Sequence, residues 1–230
     1  MKEKKDIIIV IPAYNPNEAL LSLVKELKQN EYKKIIVVND GSEKKCIFNK
    51  LDKDICILTN SKNLGKGNAL KRAFLKCLNS EVMGVITVDA DGQHSLQDVN
   101  NIYKELKVKR NNLILGTRVF NKKIMPFRSI LGNYIMNFFM KLRTKNNIKD
   151  TQSGLRGIPI NYLKDFVCIK GERFDYELNM LLYCIRNNIK IQQIDIECIY
   201  INKNKTSNFR LIKDSIKCVK MLIINDYLNK

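Results

Sequence analysis

The 230-residue chain is 45% hydrophobic and carries a net charge of +18 at pH 7, enough length and apolar content for one large domain, or a domain with a small appendage. No stretch approaches the roughly 20 apolar residues of a membrane-spanning helix. The seven cysteines are scattered without a Cys-x-x-Cys pair, which argues for reduced thiols in a cytosolic compartment and against a disulfide framework or a zinc site. In chain order, the basic start runs into a brief apolar segment with no small-residue cleavage site, so no leader is expected. DIIIVIP reads as a first strand, and NEALLSLVKELKQN as a helix with Asn17 as its cap. KKIIVVND is a second strand, EKKCIFNKLDK a short helix, ICILTN a third strand, and GKGNALKRAFLKCL a helix opening after Gly65. VMGVITV is short, β-branched and unbroken, the pattern of a buried strand in a parallel sheet. Strands alternating with helices at this spacing predict an α/β fold with a mostly parallel central sheet flanked by helices. The second half is less regular. NLILGTR reads as a strand, and SILGNYIMNFFMKLRT as a helix whose Leu131, Ile135, Phe138 and Leu142 line one face. YLKDFVC and FDYELNMLLYCIRNN are helical, KIQQIDIECIYI is a strand or a pair, and NKNKTSN is a polar linker before a final helix.

The densest chemistry is Asp89-Ala90-Asp91-Gly92-Gln93-His94, directly after the VMGVITV strand. In open α/β sheets, ligands bind outside the carboxyl ends of the strands. Two carboxylates one residue apart in apolar surroundings are costly unless a cation neutralises them, and a hard divalent ion does so while bridging phosphate oxygens. The pattern points to a metal holding a nucleoside diphosphate. A polar loop with Asp91 as turn residue and Ser95 as helix N-cap accounts for the same residues without a ligand. Three more polar loops follow strands: Pro12-Ala13-Tyr14-Asn15, Asn39-Asp40-Gly41-Ser42 and Asn63-Leu64-Gly65-Lys66-Gly67-Asn68. Each alone is turn chemistry, but a parallel sheet puts all four on one edge. Asp40 can accept hydrogen bonds from a base or ribose, and the glycines let backbone approach a nucleotide. Neither the P-loop spacing nor a dinucleotide fingerprint is present.

Taken in order, IPAYN, VNDGS, NLGKGNAL, DADGQH, LGTR, DTQSGLRGI and GERFDYE resemble the family 2 glycosyltransferases of the GT-A fold. More narrowly, they are similar to the dolichol-phosphate mannose and polyprenyl-phosphate glucose synthase branch. The likeness runs from about residue 7 to residue 201 and continues weakly in NKTSNFRLIKDS. Asn39 departs from it where many relatives carry Asp, and the C-terminal transmembrane pair of some relatives is missing. The resemblance implies a GT-A domain over residues 1–201 and a basic amphipathic C-terminal helix over 202–230. It also implies a metal-dependent, inverting transferase that moves a sugar from a UDP- or GDP-sugar to a polyprenyl phosphate. The alternative acceptor is a glycan hydroxyl in capsule or cell-wall synthesis.

By the same resemblance, Pro12, Ala13, Tyr14, Asn15 and Asp40 line the nucleoside pocket. Gly65, Lys66, Ala90, Gln152 and Ser153 complete the substrate site, and Asp89, Asp91 and Gln93 hold Mg²⁺ or Mn²⁺. Arg118 and Arg156 meet phosphate, Arg156 with a planar fork suited to it. Asp175 would be the general base for a hydroxyl acceptor. A phosphate acceptor is already ionised near pH 7, so there Asp175 would only orient it. His94, the only histidine, is expected to be structural and to point off the site, because hard cations prefer oxygen. Plainer readings exist for each: a surface arginine at 118, a helix-connecting turn over Asp150, Gln152, Ser153 and Arg156, and helix N-terminal acids at Asp175 and Glu177.

The positive charge fits an anionic membrane, a phosphate-rich substrate, nucleic acid, or simply a lysine-rich solvated surface. Phe209, Ile212, Ile216, Val219 and Ile223 fall on one helical face beside Arg210, Lys213, Lys217 and Lys220. The basic loop RVFNKKIMPFR carries Ile124, Met125 and Phe127. That pairing suits the surface of an anionic membrane, and equally a packed helix with solvated lysines. No recognition helix or aromatic RNA-binding signature supports nucleic acid. The expected partners are a nucleotide-sugar donor, a polyprenyl-phosphate or glycan acceptor, an anionic membrane surface and, further, an integral-membrane protein. The expected location is cytoplasmic, peripheral at the inner face of the cell membrane.

Overall fold

Short strands covered on both faces build the centre of the molecule. A computed structural model describes residues 6–43, 46–119, 147–197 and 199, together with 134, 136–138, 140–142 and 144 of an intervening helix. Strands β1 (Ile8–Ala13), β2 (Ile35–Asn39) and β4 (Gly84–Thr87) bury nearly every residue, as parallel strands sandwiched between helices do. Alternate side chains of β1 feed opposite layers: Ile8 and Val10 join one apolar core, Ile9 and Ile11 the other. Helix α2 (Lys66–Cys77) brings Leu70 and Phe74 to the first core, α4 (Leu163–Cys168) brings Phe166, and α5 (Asp175–Arg186) brings Tyr176 and Met180. On the other face, α1 (Ala19–Gln29) contributes Leu20 and Leu27, and α3 (Leu96–Val108) contributes Ile102 and Leu106.

With β3 (Cys56–Thr59), β5 (Leu113–Arg118), β6 (Arg156–Pro159) and β7 (Ile191–Ile196), the sheet has seven strands in the order β3-β2-β1-β4-β6-β5-β7. Every pairing is parallel except the two made by β6. The carboxyl ends of β1 to β5 therefore share one edge, and the start of β6 lies on that same edge. Thr87 is level with Arg156, so the segment before β6 runs beside the residues after β4. The Thr87 hydroxyl fastens the two by donating to the Gly154 carbonyl at 2.7 Å.

Several elements depart from the sequence reading. EKKCIFNKLDK forms only a 3₁₀ turn at Phe48–Lys50, with 44–45 outside the described residues. Arg156, grouped with the polar loop of Asp150, Gln152 and Ser153, instead opens the antiparallel strand β6 (RGIP), for which the sequence reading has no element. KIQQIDIECIYI, read as a strand or a pair, forms β7 at Ile191–Ile196, with residues 198, 200 and 201 outside the described residues. Among the described helical residues 134, 136–138, 140–142 and 144, Met136 and Met140 enter the core, whereas Phe138 and Leu142 are 51% and 63% exposed. The apolar face expected there is thus turned outward, while Leu131 and Ile135 lie outside the described residues. Asn137 sets that orientation, since its side-chain carbonyl accepts from the Thr151 N–H and hydroxyl. Residues 120–133 and 201–230, which include positions 120–128 of the basic loop and the amphipathic segment, are outside the described residues. Among the described residues no helix is long and apolar enough to cross a membrane, and Cys46, Cys56, Cys77, Cys168 and Cys184 are free thiols.

Candidate active site

The loops at the carboxyl edge are tied to one another. The ladder continues beyond the strands, with Asp40 N donating to Ala13 O and Asn60 N to Asn39 O, both at 2.9 Å. Asn15, exposed and at φ 47°, donates its N–H to Ser42 Oγ and accepts from Glu43 N. Pro12 and Tyr14 are half-buried and Ala13 is buried beside it. Asp40 is buried, and its carboxylate accepts from Asn60 Nδ2 at 2.7 Å, Leu64 N at 2.9 Å and Gly65 N at 2.8 Å. A carboxylate takes about four such bonds, so Asp40 already shapes the glycine loop and keeps one acceptor position in reserve. Gly65 stands at φ 98°, where a Cβ would meet the Glu172 carbonyl at 2.5 Å. That contact brings the loop against the segment leading into α5, and residue 65 admits only glycine without strain.

The centre of the site lies after β4. Ser95 does cap α3, accepting from Asp98 N at 3.1 Å. Asp91 does act as a turn residue, with Oδ1 accepting from Gln93 N at 3.0 Å. The loop chemistry and the ligand chemistry thus coexist in the same residues. Asp89 is gripped from both oxygens. Lys66 Nζ, at the start of α2, lies 2.6 Å from Oδ1, and His94 Nε2 lies 3.5 Å from Oδ2. His94 therefore faces Asp89, contrary to the expectation that it would point away. Lys66 also pairs with Glu177 Oε2 at 3.0 Å, which links β4, α2 and α5 through one ammonium. Gly154 packs so closely that a Cβ there would fall against the Asp89 carboxylate, 2.6 Å from Oδ1.

Burial alone would raise the Asp89 carboxyl, but Lys66 and His94 outweigh it and hold Asp89 below the usual carboxylate range. Asp91 moves the other way, raised by burial first and then by the neighbouring Asp89 charge. Lys66 is lowered by burial but raised above its ordinary value by Asp89 and Glu177 together. Two partly buried carboxylates that repel each other, with the Gln93 amide oxygen two residues on, form the donor set a hard divalent cation takes. Among the described residues no cluster of three or more His, Cys, Asp or Glu side chains forms a ready cage. The residues present fit a cation whose remaining ligands come with a substrate, such as phosphate oxygens.

The arginines divide. Arg118, at the end of β5, is held in a two-point grip by Asp150, Nε to Oδ2 at 2.7 Å and Nη2 to Oδ1 at 3.1 Å. The buried Asp150 also accepts from Gln152 N at 3.1 Å. Arg156 lies in the core with no exposure, its guanidinium donating to the carbonyls of Glu177 at 2.6 Å, Ser153 at 3.0 Å and Thr151 at 3.4 Å. It orders the loop from behind and does not face the edge. Ser153 is buried, and its Oγ has no partner among the described residues. Asp175 is 5% exposed at the start of α5 and accepts from Arg173 N at 3.0 Å.

Sequence reasoning treated Glu177 only as a helix-terminal acid. An acidic residue inside the apolar run YELNMLL was the available signal, because such a helix has little polar face on which to place it.

The family model for glycosyl transferase family 2 matches residues 8–166. A UDP-N-acetylglucosamine–dolichyl-phosphate N-acetylglucosaminyltransferase of Methanococcus voltae is 26% identical over 217 residues, covering 85% of this chain and 86% of that protein. A dolichyl-phosphate β-glucosyltransferase of Saccharomyces cerevisiae is 28% identical over 249 aligned residues, covering 94% and 72%. Among solved structures, glucosyl-3-phosphoglycerate synthase of Mycobacterium tuberculosis with Mn²⁺, UDP-glucose and phosphoglyceric acid superposes with a TM-score of 0.71 at 15% identity, covering 95% of this chain and 79% of that one. The last likeness shows that the chain has the GT-A fold.

Proposed function

Because the chain belongs to glycosyl transferase family 2 and is a glycosyltransferase, we propose that it moves a sugar from a nucleotide-sugar donor to a polyprenyl phosphate. Relatives named for dolichyl-phosphate acceptors align with most of this chain, and that observation carries the choice of acceptor. The UDP in the name of the Methanococcus voltae relative, and in the complexes of the fold neighbour, favours a UDP-sugar.

The donor's nucleoside lies across the loops after β1 and β2, with Asp40 offering its remaining acceptor position to the base. The diphosphate lies beside Asp91 and Gln93, near Asp89. Mg²⁺ or Mn²⁺, each present in structures of the fold neighbour, would be held by Asp91, Gln93 and Asp89 and would neutralise charge on the departing diphosphate. Arg118, oriented by Asp150, meets the acceptor phosphate at the adjoining end of β5. An ionised phosphate oxygen attacks the anomeric carbon as the bond from that carbon to the diphosphate breaks, giving inversion in one displacement. No general base is needed, and Asp175 serves to order the start of α5. Such an acceptor sits in a lipid phase, so the enzyme works peripherally at the inner face of a membrane. The exposed side chains of Tyr134, Phe138 and Leu142 support that placement.

Thermal unfolding in Mn²⁺ with a panel of nucleotide sugars tests the donor site. A ligand at a hundredfold excess over its Kd stabilises by about 2.7 kcal/mol. A UDP-sugar is expected to raise Tm in the wild type and not in Asp91→Asn. Failure of every nucleotide sugar to stabilise the wild type would contradict the proposal.

A further inference from the structure

The Lys66 side chain is 14% exposed, and its ammonium pairs with two carboxylates, Asp89 at 2.6 Å and the 3% exposed Glu177 at 3.0 Å. Glu177 has no other ion-pair partner among the described residues, and its Oε1 lacks any hydrogen-bond partner there. The Phe174 ring lies 5.7 Å from the same ammonium. The buried Arg156 guanidinium also acts on Glu177 electrostatically, but Lys66 alone pairs directly with this carboxylate among the described residues, and a carboxylate so buried is costly to leave without a direct partner. Asp89, about a quarter exposed, has His94 on its second oxygen and water within reach. The two bonds of Lys66 are therefore unequal: the one to Glu177 is an anchor and the one to Asp89 is exchangeable.

We propose that Lys66 is a positioning residue that makes divalent-cation binding conditional on the diphosphate. The inference rests on the reading of Asp89, Asp91 and Gln93 as the metal-holding set. A free divalent ion approaching Asp89 meets an ammonium already seated on Oδ1, and like charges a few ångströms apart in a partly buried site repel strongly. An ion that arrives with a diphosphate brings oxygens that give Lys66 a new partner. The ammonium passes from Asp89 to a diphosphate oxygen while staying on Glu177, and Asp89 Oδ1 is released. Lysine suits this exchange, since its compact charge and rotatable donors change partners without a fixed fork to realign. Cation and nucleotide consequently load together, and departure of the nucleoside diphosphate returns Lys66 to Asp89.

Binding of Mn²⁺, followed by loss of the free-ion signal in electron paramagnetic resonance, tests this with and without UDP. The proteins compared are the wild type, Lys66→Gln, and Lys66→Gln with Glu177→Gln. The double variant leaves no buried carboxylate uncompensated and so guards against simple misfolding. In the wild type, UDP is expected to tighten Mn²⁺ binding strongly. Without UDP, both variants are expected to bind Mn²⁺ about tenfold more tightly than the wild type, and the gain from UDP should shrink correspondingly. Folded variants whose Mn²⁺ affinity without UDP equals or falls below that of the wild type would overturn the role of Lys66. If the wild type takes up no Mn²⁺ even with UDP, the metal reading itself fails and this inference fails with it.

Discussion

Replacing Arg156 with lysine keeps a positive charge in the core but removes a fork that serves several carbonyls at once. The bonds to Glu177 O at 2.6 Å and Ser153 O at 3.0 Å are good, and that to Thr151 O at 3.4 Å is marginal. A hydrogen bond from a charged donor contributes about 1.5–3 kcal/mol, so the two short bonds together represent about 3–6 kcal/mol. Lysine has one nitrogen, shorter reach and no planar fork, and recovers about one of the two. The expected loss is about 1.5–3 kcal/mol, a large share of the roughly 5–15 kcal/mol that holds a domain of this kind together. Urea unfolding followed by far-ultraviolet circular dichroism reads it as a lower midpoint at unchanged m-value. A titration with UDP and Mn²⁺ on the folded fraction should show much smaller losses. The opposite pattern would refute the reasoning: a midpoint within about 0.5 kcal/mol of the wild type with nucleotide affinity abolished would mean that Arg156 touches phosphate.

Gly154→Ala drives a methyl group into the Asp89 carboxylate. Overpacking of this kind costs about 1–3 kcal/mol, and kcat/KM is expected to fall further than stability because the Asp89 carboxylate is pushed out of register with Asp91 and Gln93; equal losses would count against a role for Asp89. Asp40→Ala removes the acceptor for Asn60, Leu64 and Gly65 and should destabilise by about 1–3 kcal/mol while weakening UDP binding, both read by calorimetry. Asp91 is raised by burial and by Asp89, so the folded chain holds that proton more tightly than the unfolded chain. Its ionisation therefore costs stability, a cost absent below the unfolded value and complete above the folded one. With chelator present, Asp91→Asn should raise Tm at neutral pH and leave it unchanged at strongly acid pH; a gain independent of pH would show that charge is not its origin.

The first half of the chain was legible because its strands are apolar runs and its helices repeat buried apolar residues at helical spacing, although only α3 carries a side-chain cap, Ser95. Placing the loops after β1 to β4 on one edge needed only the parallel direction those runs imply. β6 was not legible. Arg156-Gly157-Ile158-Pro159 is short, has no alternation, and pairs antiparallel between β4 and β5, strands far from it in sequence. Missing β6 also concealed the surroundings of Arg156, which the family resemblance and its planar fork made look like a phosphate ligand. Periodicity picked the stripe of Phe138 and Leu142, whereas the structure buries Met136 and Met140, and the bonds from Thr151 to the Asn137 side chain hold that orientation. His94 and Glu177 needed three-dimensional neighbours, Asp89 and Lys66, that no spacing rule connects. The family resemblance carried the fold and the enzyme class because it rests on ordered motifs spread along the chain, whereas ion pairs within the site depend on side-chain geometry.

The most direct test is transfer itself. Purified protein is incubated with a radiolabelled UDP-sugar, Mn²⁺, polyprenyl phosphate and a competing glycan acceptor, and the mixture is partitioned into organic solvent. Label is expected in the organic phase as a product that mild acid releases as free sugar, and it should be lost in Asp91→Asn. Label that stays out of the lipid fraction while appearing on a glycan hydroxyl, in a reaction abolished by Asp175→Asn, would contradict the lipid-phosphate acceptor.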